Sequence, residues 1–509
     1  MNDTIIIIGT GAGGSTMAYK LADTGKKIII LERGDYVPLE KENWDSVEVF
    51  QKNRYTTTDV WLDKEGKSFR PGMHYNIGGN TKFYGSSLFR LREEDFQKIV
   101  HYDGVSPAWP IQYEDLKDYY LEAETLYHVH GTRGSDPTEP FDAAPYPNPP
   151  LPHEPRIKEI MDGLADYGLH PFDLPMGVNF HPHKAGNAPY ILDRFDGFPD
   201  TSERKGDAHF CALSKALEYP NVELMTNTKV LKLITDDLGT RVSGVVVEQN
   251  GEVGILTADL VVLSAGAINS AAILLESRSE QFPNGLANRS DQVGRNYMFH
   301  QSSALTVLYK KPNPSKFGKT FGISDFYLAN KKYRFPLGLI QMLAKSDAHQ
   351  IKSDNRVSID GVSFESIAVH AVDFELTSED LPDPENRITV ENGQIKITYS
   401  ENNRKGHELL KTELVEALKA SGNETFLHKG FYFNKEMSIA GVGHQCGTTK
   451  MGGNSETSVI DLNCKAHDLE NLYIVDGGFF VSSGAVGPAL TIMAMALRVG
   501  DYLKNHILK

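Results

Sequence analysis

Hydrophobic residues recur along the chain in two patterns, unbroken apolar runs and alternating ones. Residues 4–8 are all β-branched and, from Ile5, continuously apolar, as a strand buried on both faces must be, and lead into Gly9-Thr10-Gly11-Ala12-Gly13-Gly14. A helix through Leu21 follows, Gly25 closes it, and Lys27–Leu31 forms a second apolar strand with Glu32 at its end. This is a βαβ unit of about thirty residues. Residues 260–266, LVVLSAG, repeat the buried strand ending in glycine, with a helix from Asn269. Leu472–Val475, Asp476-Gly477-Gly478 and a helix from Pro488 to about Leu503 repeat it again at the far end.

Between these units the pattern changes. NVELMTN, KVLKLIT, RVSGVVVEQNG and EVGILTA alternate as antiparallel strands do, as do Ala304–Tyr309, Phe335–Met342, Ile367–Leu376 and Arg387–Tyr399. Helical spacing predicts helices within 112–130, 155–168, 207–218 and 404–420. Residues 56–91, centred on HYNIGGNTKFYGSS, and the His/Pro/Gly/Asp-rich 176–206 read as loops near a site. FDAAPYPNPPLPHEP, with six prolines in fifteen residues, reads as a stiff crossover.

Composition narrows the function classes. With 509 residues, 23% charged and 10% aromatic, the chain is long enough for two to four globular domains. A net charge of −15 is the wrong sign for tracking phosphates, so no nucleic-acid partner is expected. Three cysteines without metal-ligand spacing point to no metal site and to a reducing compartment. The isoleucine run near the N-terminus is too short for a signal segment or a membrane span, so the expectation is a cytoplasmic protein without a membrane partner.

The chemistry sits in three motifs. Gly9, Gly11 and Gly14, between strand and helix and with Glu32 at the next strand's end, allow backbone to approach a pyrophosphate while the carboxylate accepts from a ribose. Asp476-Gly477 and the helix after it offer a second helix N-terminus near a flavin, and two dinucleotide-like units at opposite ends favour FAD over NAD. His444, in GVGHQCGTTKMGG, is a side chain able to take a hydroxyl proton at neutral pH, but among seventeen histidines spacing alone does not single it out.

Taken together, GTGAGG with ILERG, GGNTKFYG, LSAGAINSAAILL, VGRNYMFH, HQCGTTKMGG, VDGGFF and PALTIMAMAL resemble the glucose–methanol–choline (GMC) oxidoreductases, and most closely bacterial members of the pyranose and glycoside oxidase type. The resemblance implies an α/β FAD-binding Rossmann-like domain, residues 1–95, 205–300 and 441–509. Interleaved with it is an α+β substrate domain built on an antiparallel sheet, residues 96–204 and 301–440. It implies that His444 is the catalytic base. The cofactor contacts it implies are Gly9, Gly11, Ala12, Gly13 and Gly14 at the phosphates, with Glu32 and Arg33 beyond them. Gly79, Asn80, Thr81, Tyr84 and Gly85 fall in the flavin loop and Val230 on the adenine side. Ala265, Gly266, Asp476, Gly477, Ala489 and Leu490 complete the set.

Two positions depart from the family pattern. Phe83 stands where some members carry a histidine bonded to the flavin, so the FAD should be non-covalent. Gly487 stands where the second catalytic residue, Asn or His, is usual. A substitute donor would come from Gln445, His300 or a water. The expected activity is FAD-dependent oxidation of a secondary alcohol of a sugar or glycoside, with hydride passing to flavin N5 and oxygen or another acceptor taking the electrons. The alternative, resting on Gly487, is a flavin-containing lyase or a catalytically weakened sugar-binding flavoprotein. A homo-oligomer stays open.

Overall fold

Ile5–Ile8 are all 3% exposed or less. In the computed structural model, which describes residues 4–140, 143–179, 192–354, 357–421, 432–441 and 443–509, they belong to the central strand of a five-stranded parallel sheet. Its order is Val222–Met225, Lys27–Leu31, Thr4–Ile8, Leu260–Leu263 and Leu472–Ile474. Ile6 pairs with Ile29 on one side and Val261 on the other. Burying each such side chain contributes about 1.5–3 kcal/mol, so an unbroken apolar run is what a central parallel strand requires. NVELMTN, expected in an antiparallel hairpin, is instead the parallel edge strand of this sheet. Its alternation reflects an edge with one wet face.

Helix Ala12–Leu21 packs against the C-terminal helix Ala489–Tyr502, which also packs against Lys117–Leu126. The carboxyl ends of the parallel strands converge on one side: Gly9 to Gly11, Glu32, Ser264 to Gly266, and Asp476. Open α/β sheets bind ligands in the crevice at that end. A three-stranded antiparallel sheet, Thr228–Thr235, Val242–Gln249 and Glu252–Thr257, flanks it.

A second large sheet is wholly antiparallel, in the order Tyr432–Glu436, Gln301–Leu308, Ala371–Ser378, Leu339–Met342, Phe321–Ile323 and Pro171–Asp173. Leu305, Val307, Phe374, Leu376, Ile340 and Met342 on one face form a core with Leu410, Leu414 and Leu418 of helix Arg404–Ala420. Its other face meets the cavity described below. The segment expected as a strand over Ile367–Leu376 divides instead: Phe364–His370 is a helix, N-capped by Ser363, and the strand begins at Ala371. Arg387–Glu391 and Gln394–Thr398 form a hairpin that joins Trp61–Leu62 and Ser68–Phe69 in a four-stranded sheet. Of the loop expected over 176–206, residues 180–191 lie outside the described residues, as do 141 and 142 of the proline-rich crossover.

Candidate active site

A cavity of about 1040 Å³ runs from the glycine loop, past the flavin-loop segment, to the antiparallel sheet. That is at the upper end of the range for ligand pockets, about 300–1,000 Å³. The four loop glycines have different reasons to be glycine. A Cβ on Gly9, where φ is +100°, would come within 2.4 Å of the Ser264 carbonyl oxygen. On Gly13 it would meet the Val475 carbonyl oxygen at 1.9 Å, and on Gly14 the Gly9 carbonyl oxygen at 2.0 Å. On Gly11 it would meet nothing within 4 Å, because that position faces the cavity at the helix N-terminus. Gly9, Gly13 and Gly14 therefore let strand and helix pack, whereas Gly11 leaves room for a ligand.

Glu32 is buried at the cavity edge. Thr10 donates to its Oε2 from the backbone N at 3.1 Å and from Oγ1 at 2.6 Å, and Gly34 N donates to Oε1 at 3.1 Å. Asp476 ties the other strand ends together: Gly478 N donates to Oδ1 at 2.8 Å, while Gly266 N and Ser270 Oγ donate to Oδ2 at 3.1 and 2.5 Å. Burial pushes both carboxyls above their usual range.

The C-terminal helix supplies Ala489 and Ile492 to the wall, and Gly79, Asn80, Thr81, Tyr84 and Gly85 line it from the flavin loop, with Val230 near the glycine loop. Phe83 stacks on His74, with ring centroids 3.7 Å apart and an 11° interplanar angle, and both rings line the cavity. Burial lowers His74 to about pKa 4.

His444 owes its position to a backbone register. Met298 and Cys446 exchange hydrogen bonds, Met298 N to Cys446 O at 3.1 Å and Cys446 N to Met298 O at 2.9 Å. An antiparallel register of 298 with 446 sets 300 opposite 444. His300 and His444 accordingly meet through their Nδ1 atoms, 3.0 Å apart. His300 Nε2 lies 3.2 Å from the Ser483 carbonyl oxygen, which only accepts, so Nε2 carries the hydrogen. Its bare Nδ1 then accepts from His444 Nδ1–H. That leaves His444 Nε2 unprotonated on the cavity side, beside Gly487, whose Cβ would stand 3.5 Å from it. Burial pulls His300 to about pKa 4 and His444 to about 3, the latter helped by the neighbouring His300 and by the Lys319 charge. His300 holds this place with φ of +38°, a left-handed conformation that a histidine adopts only when its surroundings enforce it.

Three sequence expectations change here. His300 does not line the cavity; it stands behind His444, fully buried. Gly14 and Leu490 do not line it either, Gly14 because it packs on Gly9 and Leu490 because it points into the core. Gln445 and Gly487 do line it. Sequence reasoning missed Met73, His74, Asp196, Lys319, Gln341 and Glu375, all of which border the cavity. No local motif marks the last four, because register and tertiary contact bring them in.

The family model described as GMC oxidoreductase matches in two parts, an N-terminal one over residues 6–302 and a C-terminal one over 386–496. The chain belongs to the GMC oxidoreductase family. It is 27% identical to 6'''-hydroxyparomomycin C oxidase of Streptomyces lividus, over 99% of this chain and 91% of that protein. It is 23% identical to the fructose dehydrogenase large subunit of Gluconobacter japonicus, over 99% of this chain and 98% of that one. Among solved structures, pyridoxine 4-oxidase from Mesorbium loti superposes with a TM-score of 0.69 at 18% identity, covering 99% of this chain and 100% of that one. This likeness extends the family fold over the whole chain.

As a GMC oxidoreductase the protein uses FAD and acts on CH–OH groups. The residues present fit that cofactor. Open space faces Gly11 at a helix N-terminus, a carboxylate stands at the end of the second strand, and another helix N-terminus borders the opposite part of the cavity. No described helix is long and apolar enough to cross a membrane.

Proposed function

We propose that this GMC oxidoreductase oxidises a secondary alcohol of a sugar or glycoside, with His444 as the base. The observation that carries the reading is the unprotonated Nε2 of His444, fixed toward the cavity by the His300 hydrogen bond. Bound FAD supplies the hydride acceptor. His444 Nε2 accepts the carbinol hydroxyl proton while the C–H hydrogen departs as hydride. A base this weak suffices, because loss of hydride turns the hydroxyl into a protonated carbonyl, which is strongly acidic. The proton therefore does not leave ahead of the hydride. Glu32, Gly11 and the Asp476-Gly477 turn would hold the cofactor, together with Val230, Asn80 and Thr81. Phe83 leaves no group there to bond to it, so the FAD is dissociable. Related enzymes named for hydroxyparomomycin, paromamine and fructose support the substrate class.

The test is an anaerobic screen of glycosides and polyols against the purified flavoprotein. Bleaching of the oxidised flavin absorbance by a pyranoside is expected, and unchanged colour across a broad sugar panel would overturn the proposal.

The pH dependence follows from the neutral histidine pair. Only unprotonated His444 accepts a proton, and its pKa of about 3 lies below the ordinary 6.5. Activity should therefore not fall on acidification through pH 6.5. We expect kcat/KM for flavin reduction to stay level from neutral pH down to about 5, short of the roughly one-unit margin above the lowered pKa values. A tenfold loss between pH 7 and pH 5.5 would show that the ring titrates normally.

One observation favours a second reading. Gly487 gives no side chain where a donor to the substrate oxygen is usual, and one such donor is worth roughly 3–4 kcal/mol. Turnover of a substrate with no flavin reduction at any point would mark a lyase instead.

A further inference from the structure

The antiparallel sheet turns a polar row toward the cavity. Register aligns Lys435 with Ala304, Ala304 with Glu375, and Glu375 with Gln341, and all four line the cavity. Directly opposed residues in a sheet share a face. The opposite face of the same strands is apolar and packs on helix Arg404–Ala420. Ser302, two residues before Ala304 and so on the same face, also borders the cavity.

This row is unfinished. Gln341 Nε2 donates to Glu375 Oε2 at 2.8 Å, but Gln341 Oε1 is buried with no partner, and so is Ser302 Oγ. Gln341, Ser302 and Glu375 are 6%, 5% and 8% exposed, so water does not freely serve them. Among the described residues Glu375 has no cation within ion-pair distance. Lys319 is committed to Asp196, at 3.2 and 3.1 Å to its two oxygens, in a pair seated where a Gly85 Cβ would come within 2.1 Å of Lys319 Nζ. Lys435 stands at the rim, exposed. Buried polar groups in folded proteins are satisfied. Burial raises the Glu375 carboxyl above its usual range, countered chiefly by the Lys319 charge at longer range, and a cation placed against it would favour its charged form.

We propose that Glu375, Gln341 and Ser302 form a subsite for a protonated amino group of the substrate, so that the enzyme favours amino sugars and their glycosides over neutral ones. A carboxylate, an amide oxygen and a hydroxyl oxygen offer three acceptors, and an ammonium group brings three N–H donors and no acceptor. A neutral hydroxyl has one hydrogen for the same three acceptors and leaves the carboxylate charge unmatched. The subsite shares the cavity with His444, so one substrate spans both: the amine rests on the sheet and a carbinol reaches Nε2. The inference rests on the reading that this cavity takes a sugar alcohol, and it specifies what else that sugar carries.

The experiment uses the FAD-loaded enzyme under anaerobic conditions. Methyl glucoside is compared with glucosides carrying a single amino group in place of a hydroxyl, each position in turn. Affinity is read from the perturbation of the flavin spectrum or of thermal stability, and reduction from bleaching. At least one amino glucoside should bind about tenfold more tightly than the parent, as charge-assisted hydrogen bonds are the stronger kind. Glu375→Gln, nearly isosteric, should bring that ratio to about twofold or less, since the charge is what it removes. Equal or weaker binding of every amino glucoside by the unaltered enzyme overturns the subsite, as does an unchanged ratio in Glu375→Gln. Bleaching by neutral glucosides without amine preference would sink the subsite and leave the oxidation reading intact. Amine preference in binding with no bleaching by any sugar would do the reverse.

Discussion

Replacing His444 by alanine should lower kcat/KM for flavin reduction about a thousandfold, within the range of 10²–10⁴ that general-base catalysis contributes. FAD content should stay unchanged. The groups proposed to hold the cofactor lie elsewhere in the cavity, at the strand ends of Gly11, Glu32 and Asp476, and no hydrogen bond joins His444 to them. The loss belongs to proton transfer alone, so it should appear in kcat with little change in substrate affinity. Rapid anaerobic mixing with a reducing sugar substrate, monitored at the flavin band, measures it. A variant that keeps a rate within tenfold of the parent would remove His444 from the reaction. His300 would then be a buried partner of a bystander.

That expectation depends on a neighbour the sequence did not bring into view in its proper role. VGRNYMFH and GVGHQCGTTK can both be read as motifs, yet nothing local says that residue 300 lies opposite residue 444. The pairing of Met298 with Cys446 decides it, and that is a long-range register. His300 therefore reads from sequence as a group facing the substrate, whereas it stands behind His444, the proposed base, and fixes its tautomer. Four of the five parallel strands are different. Each is an apolar run followed within three residues by glycine, so both the strand and the ligand end of it are legible from a few adjacent residues.

Elements with mixed patterns are less legible. Residues 367–376 alternate well enough to suggest one strand, but Ser363 caps a helix that runs to His370. NVELMTN alternates because it is an edge, a position that period alone does not separate from a hairpin. The polar row of Glu375 and Gln341 is hidden for the same reason as His300. Each residue sits in a strand of ordinary alternation, and cross-strand pairing alone collects them on one wall.

The glycine loop offers the sharpest separation of fold from cofactor. Gly11→Val should yield a folded protein that emerges colourless, because a Cβ there meets no protein atom within 4 Å and the branched side chain would fill the open space in front of the helix N-terminus. Its circular dichroism should match that of the parent stripped of FAD. Gly9→Ala should fail differently. At φ of +100°, with the Ser264 carbonyl oxygen 2.4 Å from the new Cβ, alanine cannot sit there without moving the strand ends apart. Strain of this kind costs on the order of 1–3 kcal/mol before the clash is counted, and it falls on the central strand of the sheet. Gly9→Ala should therefore lower thermal stability even with FAD removed from both proteins, whereas Gly11→Val should not. A yellow Gly11→Val enzyme with normal FAD content would show that the pyrophosphate does not approach the backbone at this position, and the assignment of the cavity's glycine end to the cofactor would fall with it.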